Sequence, residues 1–172
     1  KMVECFYALP DTQILLLAYT NRAVDEICAS LVSIVPEVDY IRVGSELSCD
    51  ERFRPYLVEN VLVTCNNRKE VRKRLSDCRV YVGTVASISS KAELFKLKHF
   101  DVAIVDEATQ ILEPQILWIL TAKSADGRQA VEKFVLIGDH KQLPAVVLQR
   151  PEESEVHDED LRKMCLYNLK DS

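Results

Sequence analysis

Two apolar runs, Val102–Val105 and Phe134–Ile137, each end abruptly in a polar segment. The first is followed by Asp106-Glu107-Ala108-Thr109-Gln110, the second by Gly138-Asp139-His140-Lys141-Gln142-Leu143-Pro144. Such runs are too short for buried helices and suit strands covered on both faces. Ile14–Tyr19, Tyr40–Val43 and Arg79–Val82 read the same way. Between the first two of these, Ala23, Val24, Ile27, Cys28, Leu31 and Ile34 recur at helical spacing. They predict an amphipathic helix over Arg22–Val35, capped by Thr20 or Asn21 and stopped by Pro36. Strands alternating with helices predict an α/β fold, a parallel sheet with helices on both faces. Sheets of this class keep their ligands at the C-terminal ends of the strands, where both polar segments stand.

The rest of the chain fills in around that frame. Residues 45–78 gain charge and interrupt the alternation, which predicts a helical insertion containing a basic helix over Asn66–Leu75. Gly83-Thr84 is expected to turn out of the sheet after Arg79–Val82. A short helix is predicted over Ser90–Leu97, a strand over Phe100–Val105 and a helix over Pro114–Leu120. Gln149–Asp160 reads as a loop, with six acids among the nine residues 152–160. Leu161, Met164, Cys165 and Leu169 fit one more helix.

At 172 residues the chain fits one domain with a sizeable core. A net charge of −5 excludes a globally basic nucleic-acid binder but leaves room for one local basic face. The six cysteines form no C-x-x-C pair, and no signal peptide or membrane-spanning run is present. Reduced, mostly buried cysteines in an intracellular protein with no membrane partner are therefore expected. Lys1 precedes Met2 and the chain enters apolar sequence at once, so both ends are expected to be cuts within a longer protein.

The two polar segments carry the chemistry. In phosphoryl transfer to water, a metal ion neutralises phosphate oxygens while a carboxylate orients or deprotonates the water. Asp106 at a strand end suits the metal, held through its water shell, and Glu107, pointing differently, suits the water. Gln142 offers a neutral amide that could bond a terminal phosphate and lose that bond when the phosphate leaves. Leu143-Pro144 would stiffen its loop. The competing reading of Gly138–Pro144 is a polar turn. His140 is given a supporting role at most. Thr20, Asn21, Thr84 and Ser87 follow two other strands, and their hydroxyl and amide groups suit nucleic-acid backbone contacts. Helix capping is the alternative for each pair. Arg68, Lys69, Arg72, Lys73 and Arg74 could meet phosphates, against the simpler reading of a solvated face.

Four segments, in order, resemble the first motor domain of superfamily 1 helicases, in the branch of the nonsense-mediated-decay RNA helicase and the replication nuclease-helicase. ILLLAYTNRAVDEI resembles the first nucleic-acid-contacting motif (motif Ia), and VYVGTVASI the next one. FDVAIVDEATQILEP resembles the Walker B motif, and KFVLIGDHKQLPAVV the motif that couples hydrolysis to nucleic acid. The last two are long and specific. The resemblance implies a RecA-like fold of P-loop NTPase type, with ATP and Mg²⁺ as cofactors. It implies Asp106 as the magnesium-side carboxylate, Glu107 as catalytic base and Gln142 as phosphate sensor. Gln110 and Asp139 stand with them on the nucleotide side. Thr20, Asn21, Thr84 and Ser87 would line the path of single-stranded DNA or RNA.

On this reading residues 1–172 are part of the first motor domain, with residues 45–78 as a helical insertion within it. No Gly-x-x-x-x-Gly-Lys-Ser/Thr occurs in the sequence. The phosphate loop, expected shortly before residue 1, and a second motor domain would be supplied by the remainder of the chain. Nucleotide affinity rests largely on that loop and its lysine. The 172 residues alone are therefore expected to lack ATPase and helicase activity. The alternative is a nucleotide-independent nucleic-acid-binding or scaffold protein derived from such a motor. A P-loop enzyme acting on a small molecule ranks last, because it gives Gln142-Leu143-Pro144 no task.

Overall fold

The computed structural model describes residues 1–34, 37–139, 141, 145, 146, 148, 150–165, 167 and 168. In chain order the elements are α1 (Met2–Ala8), β1 (Ile14–Ala18), α2 (Asn21–Ile34) and β2 (Tyr40–Val43). Two 3-10 turns, Glu46–Ser48 and Glu51–Tyr56, lead to α3 (Val58–Leu62) and α4 (Arg68–Asp77). Then come β3 (Val80–Thr84), α5 (Val85–Ser89), α6 (Glu93–Leu97), β4 (Phe100–Val105), a 3-10 turn at Ala108–Gln110, and α7 (Glu113–Leu120). The chain continues through β5 (Val131–Leu136), α8 (Pro151–Ser154) and α9 (Glu159–Lys163).

The five strands form one sheet in the order β2-β3-β1-β4-β5, and every pairing is parallel. This is the parallel α/β architecture the alternation predicts, and it is the RecA-like fold the resemblance implies. β1 lies in the middle, and its five residues are no more than 2% exposed. Side chains alternate between two cores. Leu15, Leu17, Tyr81, Ala103 and Val105 face one layer with Phe95, Ile116 and Ile119. Leu16, Val82, Val102 and Ile104 face the other with Val24, Cys28 and Leu31 of α2. A strand buried on both faces must be apolar at every position, which is why the runs do not alternate in polarity.

Arg42, in β2, is the exception, and it is 1% exposed. Its guanidinium pairs with the carboxylate of Asp25 in α2 and reaches Cys28 Sγ at 3.9 Å. A buried cation is tolerable only with such a partner. The pair ties α2 to the sheet edge.

Several predicted boundaries move. β3 runs on through Gly83 and Thr84, where a turn out of the sheet was expected, because both residues pair with β1. The hydroxyl of Thr84 accepts from the Ser87 N–H and caps α5 at once, so the expected Ser90–Leu97 helix is replaced by α5 and α6. β5 starts at Val131, earlier than its apolar run, because pairing with Phe100 draws the polar Glu132-Lys133 into the strand. Within the expected loop 149–160, Pro151–Ser154 is helical. α9 starts earlier than predicted because Asp158 accepts from the N–H groups of Asp160 and Leu161. α1 was unpredicted, although Val3, Phe6 and Tyr7 have helical spacing.

No cysteine is paired in a disulfide. Cys28, Cys49 and Cys78 are buried, Cys65 is half-buried, and Cys5 and Cys165 are exposed. Half, rather than most, are thus in the core. Among the described residues no helix is long and apolar enough to cross a membrane.

Candidate functional site

Because every strand is parallel, the segments leaving β1, β3, β4 and β5 emerge on one edge of the sheet. That edge carries Thr20 and Asn21, Thr84 and Ser87, Asp106 and Glu107, and Gly138 and Asp139. The sequence separates these groups by up to 119 residues, from Thr20 to Asp139; topology alone gathers them.

Asp106 is fixed by the sheet. Its N–H donates to the Leu17 carbonyl at 2.8 Å, and its Oδ1 accepts from the Glu107 N–H at 2.9 Å. Glu107 then takes a left-handed backbone conformation, φ 53° and ψ 35°. A non-glycine residue held there costs about 1–3 kcal/mol, and such strain collects at functional sites. Neighbouring bonds enforce it: the Glu107 carbonyl accepts from the Gln110 N–H at 2.9 Å, and the Ala108 N–H donates to Ile137 at 2.8 Å. Glu107 Oε2 is buried and has no hydrogen-bond partner among the described residues. Burying an oxygen without a partner is costly, so a native protein that keeps one there needs a reason.

A cleft of about 340 Å³ opens beside both carboxylates. Its walls include Ile27 and Ile104, Ile137 after β5, and Lys1, Met2 and Val3 at the start of α1. This involvement of α1 was missed in the sequence, whose helical spacing there was the available signal.

The loops after β4 and β5 are locked together. A Cβ added to Gly138 would stand 2.8 Å from Thr109 Cγ2 and 3.0 Å from the Thr109 N. Glycine is required there by close approach, since φ is not positive. Thr109 Oγ1 also donates to the Asp139 carbonyl at 3.5 Å, a long bond. Thr109 is thus a contact residue that the reading of single motifs did not single out. Asp139 is exposed, and its Oδ1 accepts from the Lys141 N–H at 2.9 Å. Gln110 is half-buried in the turn after Glu107. Gln142, His140, Leu143 and Pro144 lie outside the described residues.

On the β1–β3 side the hydroxyls have local tasks. Thr20 Oγ1 accepts from the Ala23 N–H at 3.1 Å, capping α2, and Thr20 remains exposed. Asn21 is half-buried at the head of the same helix. Thr84 is 6% exposed and caps α5. Ser87 Oγ donates to the Val43 carbonyl at 2.9 Å, joining the ends of β2 and β3. Gly83 makes room for this: a Cβ there would be 2.9 Å from that carbonyl and 3.0 Å from Ser87 Oγ. In the basic helix α4, Arg74 is bound to Asp39 by two hydrogen bonds, while Lys69, Arg72 and Lys73 are exposed.

Residues 63–150 match the family described as AAA domain. The chain is 33% identical over 138 residues to the DNA replication ATP-dependent helicase/nuclease JHS1 of Arabidopsis thaliana, covering 79% of this chain and 9% of that protein. It is 29% identical over 153 residues to the DNA replication ATP-dependent helicase/nuclease DNA2 of Homo sapiens, covering 87% and 13%. The human RNA helicase Mov10l1 is 30% identical over 152 residues, covering 87% and 12%. The chain therefore spans about a tenth of the length of these curated relatives. With a parallel RecA-like sheet, a family match over residues 63–150 and DNA and RNA helicases as its relatives, the chain belongs to the superfamily 1 helicase family.

Proposed function

We infer that residues 1–172 form part of the first RecA-like motor domain of an ATP-dependent DNA or RNA helicase, with residues 45–78 as a helical insertion. The observation that carries this reading is Glu107: a strained, left-handed residue next to Asp106, with a buried carboxylate oxygen that has no partner among the described residues. A general base needs a placed oxygen not already committed to another donor. The carboxylate chemistry here suits a magnesium nucleotide. When bound, Mg²⁺-ATP supplies the phosphoanhydride and the charge neutralisation that phosphoryl transfer needs.

Asp106 would hold the metal, and its position is set by pairing at the end of β4. Glu107 orients the attacking water and accepts its proton at Oε2. Gln110 and Asp139 stand on the nucleotide side, and Gln142 senses the terminal phosphate. The Gly138–Thr109 contact passes movement from the loop after β5 to the carboxylate turn. Thr20, Asn21, Thr84 and Ser87 belong to the path of single-stranded nucleic acid; their capping roles set the loops whose backbone groups reach it. α1 supports a further element of this reading. Its first residues line the carboxylate cleft, so a phosphate loop preceding Lys1 would reach Asp106 and Glu107 directly. That loop and a second motor domain complete the machine.

The test is ATP hydrolysis by the longer protein that carries this segment, with and without single-stranded DNA or RNA. Stimulation by one nucleic acid, abolished by Glu107→Gln, is the expected result. Hydrolysis unaffected by that substitution would remove Glu107 from the mechanism. No hydrolysis from a folded protein would favour a nucleotide-independent binding role. Residues 1–172 alone are expected to show no turnover.

A further inference from the structure

The opposite, N-terminal end of strands β4 and β5 gathers a second set of polar side chains that the helicase reading leaves without a task. His99 immediately precedes β4, Asp101 lies within it, and Glu132 lies in β5. The register pairs Phe100 with Val131 and Val102 with Lys133, which puts Asp101 beside Glu132. The Gln13 carbonyl accepts from the N–H groups of both Asp101 (3.0 Å) and Val102 (3.3 Å), an irregularity of the kind that re-aims a side chain. One ligand atom from each of His99, Asp101 and Glu132 lies within 4.8 Å of the other two. His99 Nε2 and Glu132 Oε1 are 3.1 Å apart.

We propose that His99, Asp101 and Glu132 form a binding site for one divalent transition-metal ion of the zinc type. Donors about 2.0–2.2 Å from a zinc ion stand about 3.3 Å from one another, so His99 and Glu132 already have the separation that a shared ion requires. A small rotation of Asp101 closes the third side. An imidazole with two carboxylates suits zinc and its neighbours better than the all-oxygen preference of magnesium. Asp101 is oriented from behind, since its Oδ2 accepts from the Gln13 N–H at 2.6 Å, as carboxylate ligands commonly are. Two of the three ligands sit on paired strands, a rigid mount for a metal site. Two acids side by side on neighbouring strands repel each other, and a shared cation removes that repulsion. A cleft of about 320 Å³ beside Asp101 and Glu132, also lined by Asp11 and Lys133, gives solvent and ions access. The remaining coordination positions are left to water.

The site is tested by titrating the metal-stripped 172-residue protein with Co²⁺, whose visible absorption reports coordination, followed by competition with Zn²⁺ and with excess Mg²⁺. One Co²⁺ per chain is expected, displaced by Zn²⁺ and not by Mg²⁺. His99→Ala and Glu132→Gln should each weaken binding at least about 10-fold. Circular dichroism of the metal-free variants should match the unsubstituted protein, which separates lost ligands from lost fold. Asp106→Asn, at the other end of β4, should bind as before, so this result is independent of the motor reading. Absent bands, binding unchanged in both ligand variants, or loss on Asp106→Asn would each overturn the proposal. An intense sulfur-to-cobalt charge-transfer band would also overturn it, by moving the ion to the cysteines. In those cases His99 and Glu132 are an ion pair and nothing more.

Discussion

The two ends of β4 and β5 place carboxylates by different means. At the C-terminal end Asp106 and Glu107 are adjacent in sequence, and a strained turn separates them. At the N-terminal end Asp101 and Glu132 are 31 residues apart in sequence, and strand pairing brings them together. The first arrangement carries a left-handed backbone and a buried oxygen without a partner among the described residues; the second has every named carboxylate bonded, to Gln13 or to His99. Strain and an unmet acceptor mark a site organised for a reaction, whereas carboxylates that already have partners on paired strands mark one organised for holding.

The largest expected effect separates the ends by activity. In the longer protein, Glu107→Gln should lower nucleic-acid-stimulated ATP hydrolysis by about 10²–10⁴-fold, the range for losing a general base. Glu132→Gln should leave the rate unchanged. Equal losses from both would erase the distinction between the two ends.

Next in size is Gly138→Ala. The added methyl meets the Thr109 backbone and side chain at 2.8–3.2 Å, so one loop must move. A cost of about 1–3 kcal/mol in stability is expected, read by urea unfolding. Because Thr109 adjoins the Glu107 turn, hydrolysis should fall as well. A neutral result would show that the loops after β4 and β5 are not mechanically joined.

Glu107→Gly should have the opposite sign on stability. It relieves the left-handed strain and the unpartnered oxygen, and the free energy of unfolding should rise by about 1 kcal/mol while turnover is lost. Destabilisation would mean that the Glu107 side chain supports the fold rather than the chemistry.

The smallest effect belongs to the N-terminal end, where Lys98 precedes His99. Lys98 is 7% exposed, and its Nζ donates to the Ser76 carbonyl at 2.8 Å. Burial lowers its pKa from 10.5 to about 8. Above pH 8 the folded chain has released a proton that the unfolded chain still holds, so stability rises with pH there. Burial raises the thiols of Cys28 and Cys78 from 9.0 to about 11, which reverses the slope above pH 9. Stability should therefore climb between pH 8 and 9 and decline between 9 and 11. Lys98→Met should remove the climb and keep the decline, as measured by thermal melts across that range.

Legibility in the sequence followed the range of the forces involved. Tyr40–Val43 and Phe100–Val105 were read with their observed bounds because burial in the sheet requires mostly apolar runs, interrupted here by Arg42 and Asp101. Val131–Lys133 was missed because an exposed edge strand needs no apolar pattern, only a partner. α5 was missed because one hydroxyl, Thr84, decides between a turn and a capped helix. Thr20 and Thr84 were weighed between capping and nucleic-acid contact, and both hydroxyls cap.

By itself the sequence determined the fold class, the strands that form the middle of the sheet, and the adjacency of Asp106 to Glu107. Those features depend on hydrophobic periodicity and on covalent neighbours, which are local. Tertiary structure alone decided that β4 lies between β1 and β5, that Glu107 is held left-handed with its oxygen buried, that Gly138 packs on Thr109, and that His99, Asp101 and Glu132 meet. Each of these depends on which strands pair and in what register. Register is set by the packing of the whole core rather than by any one segment.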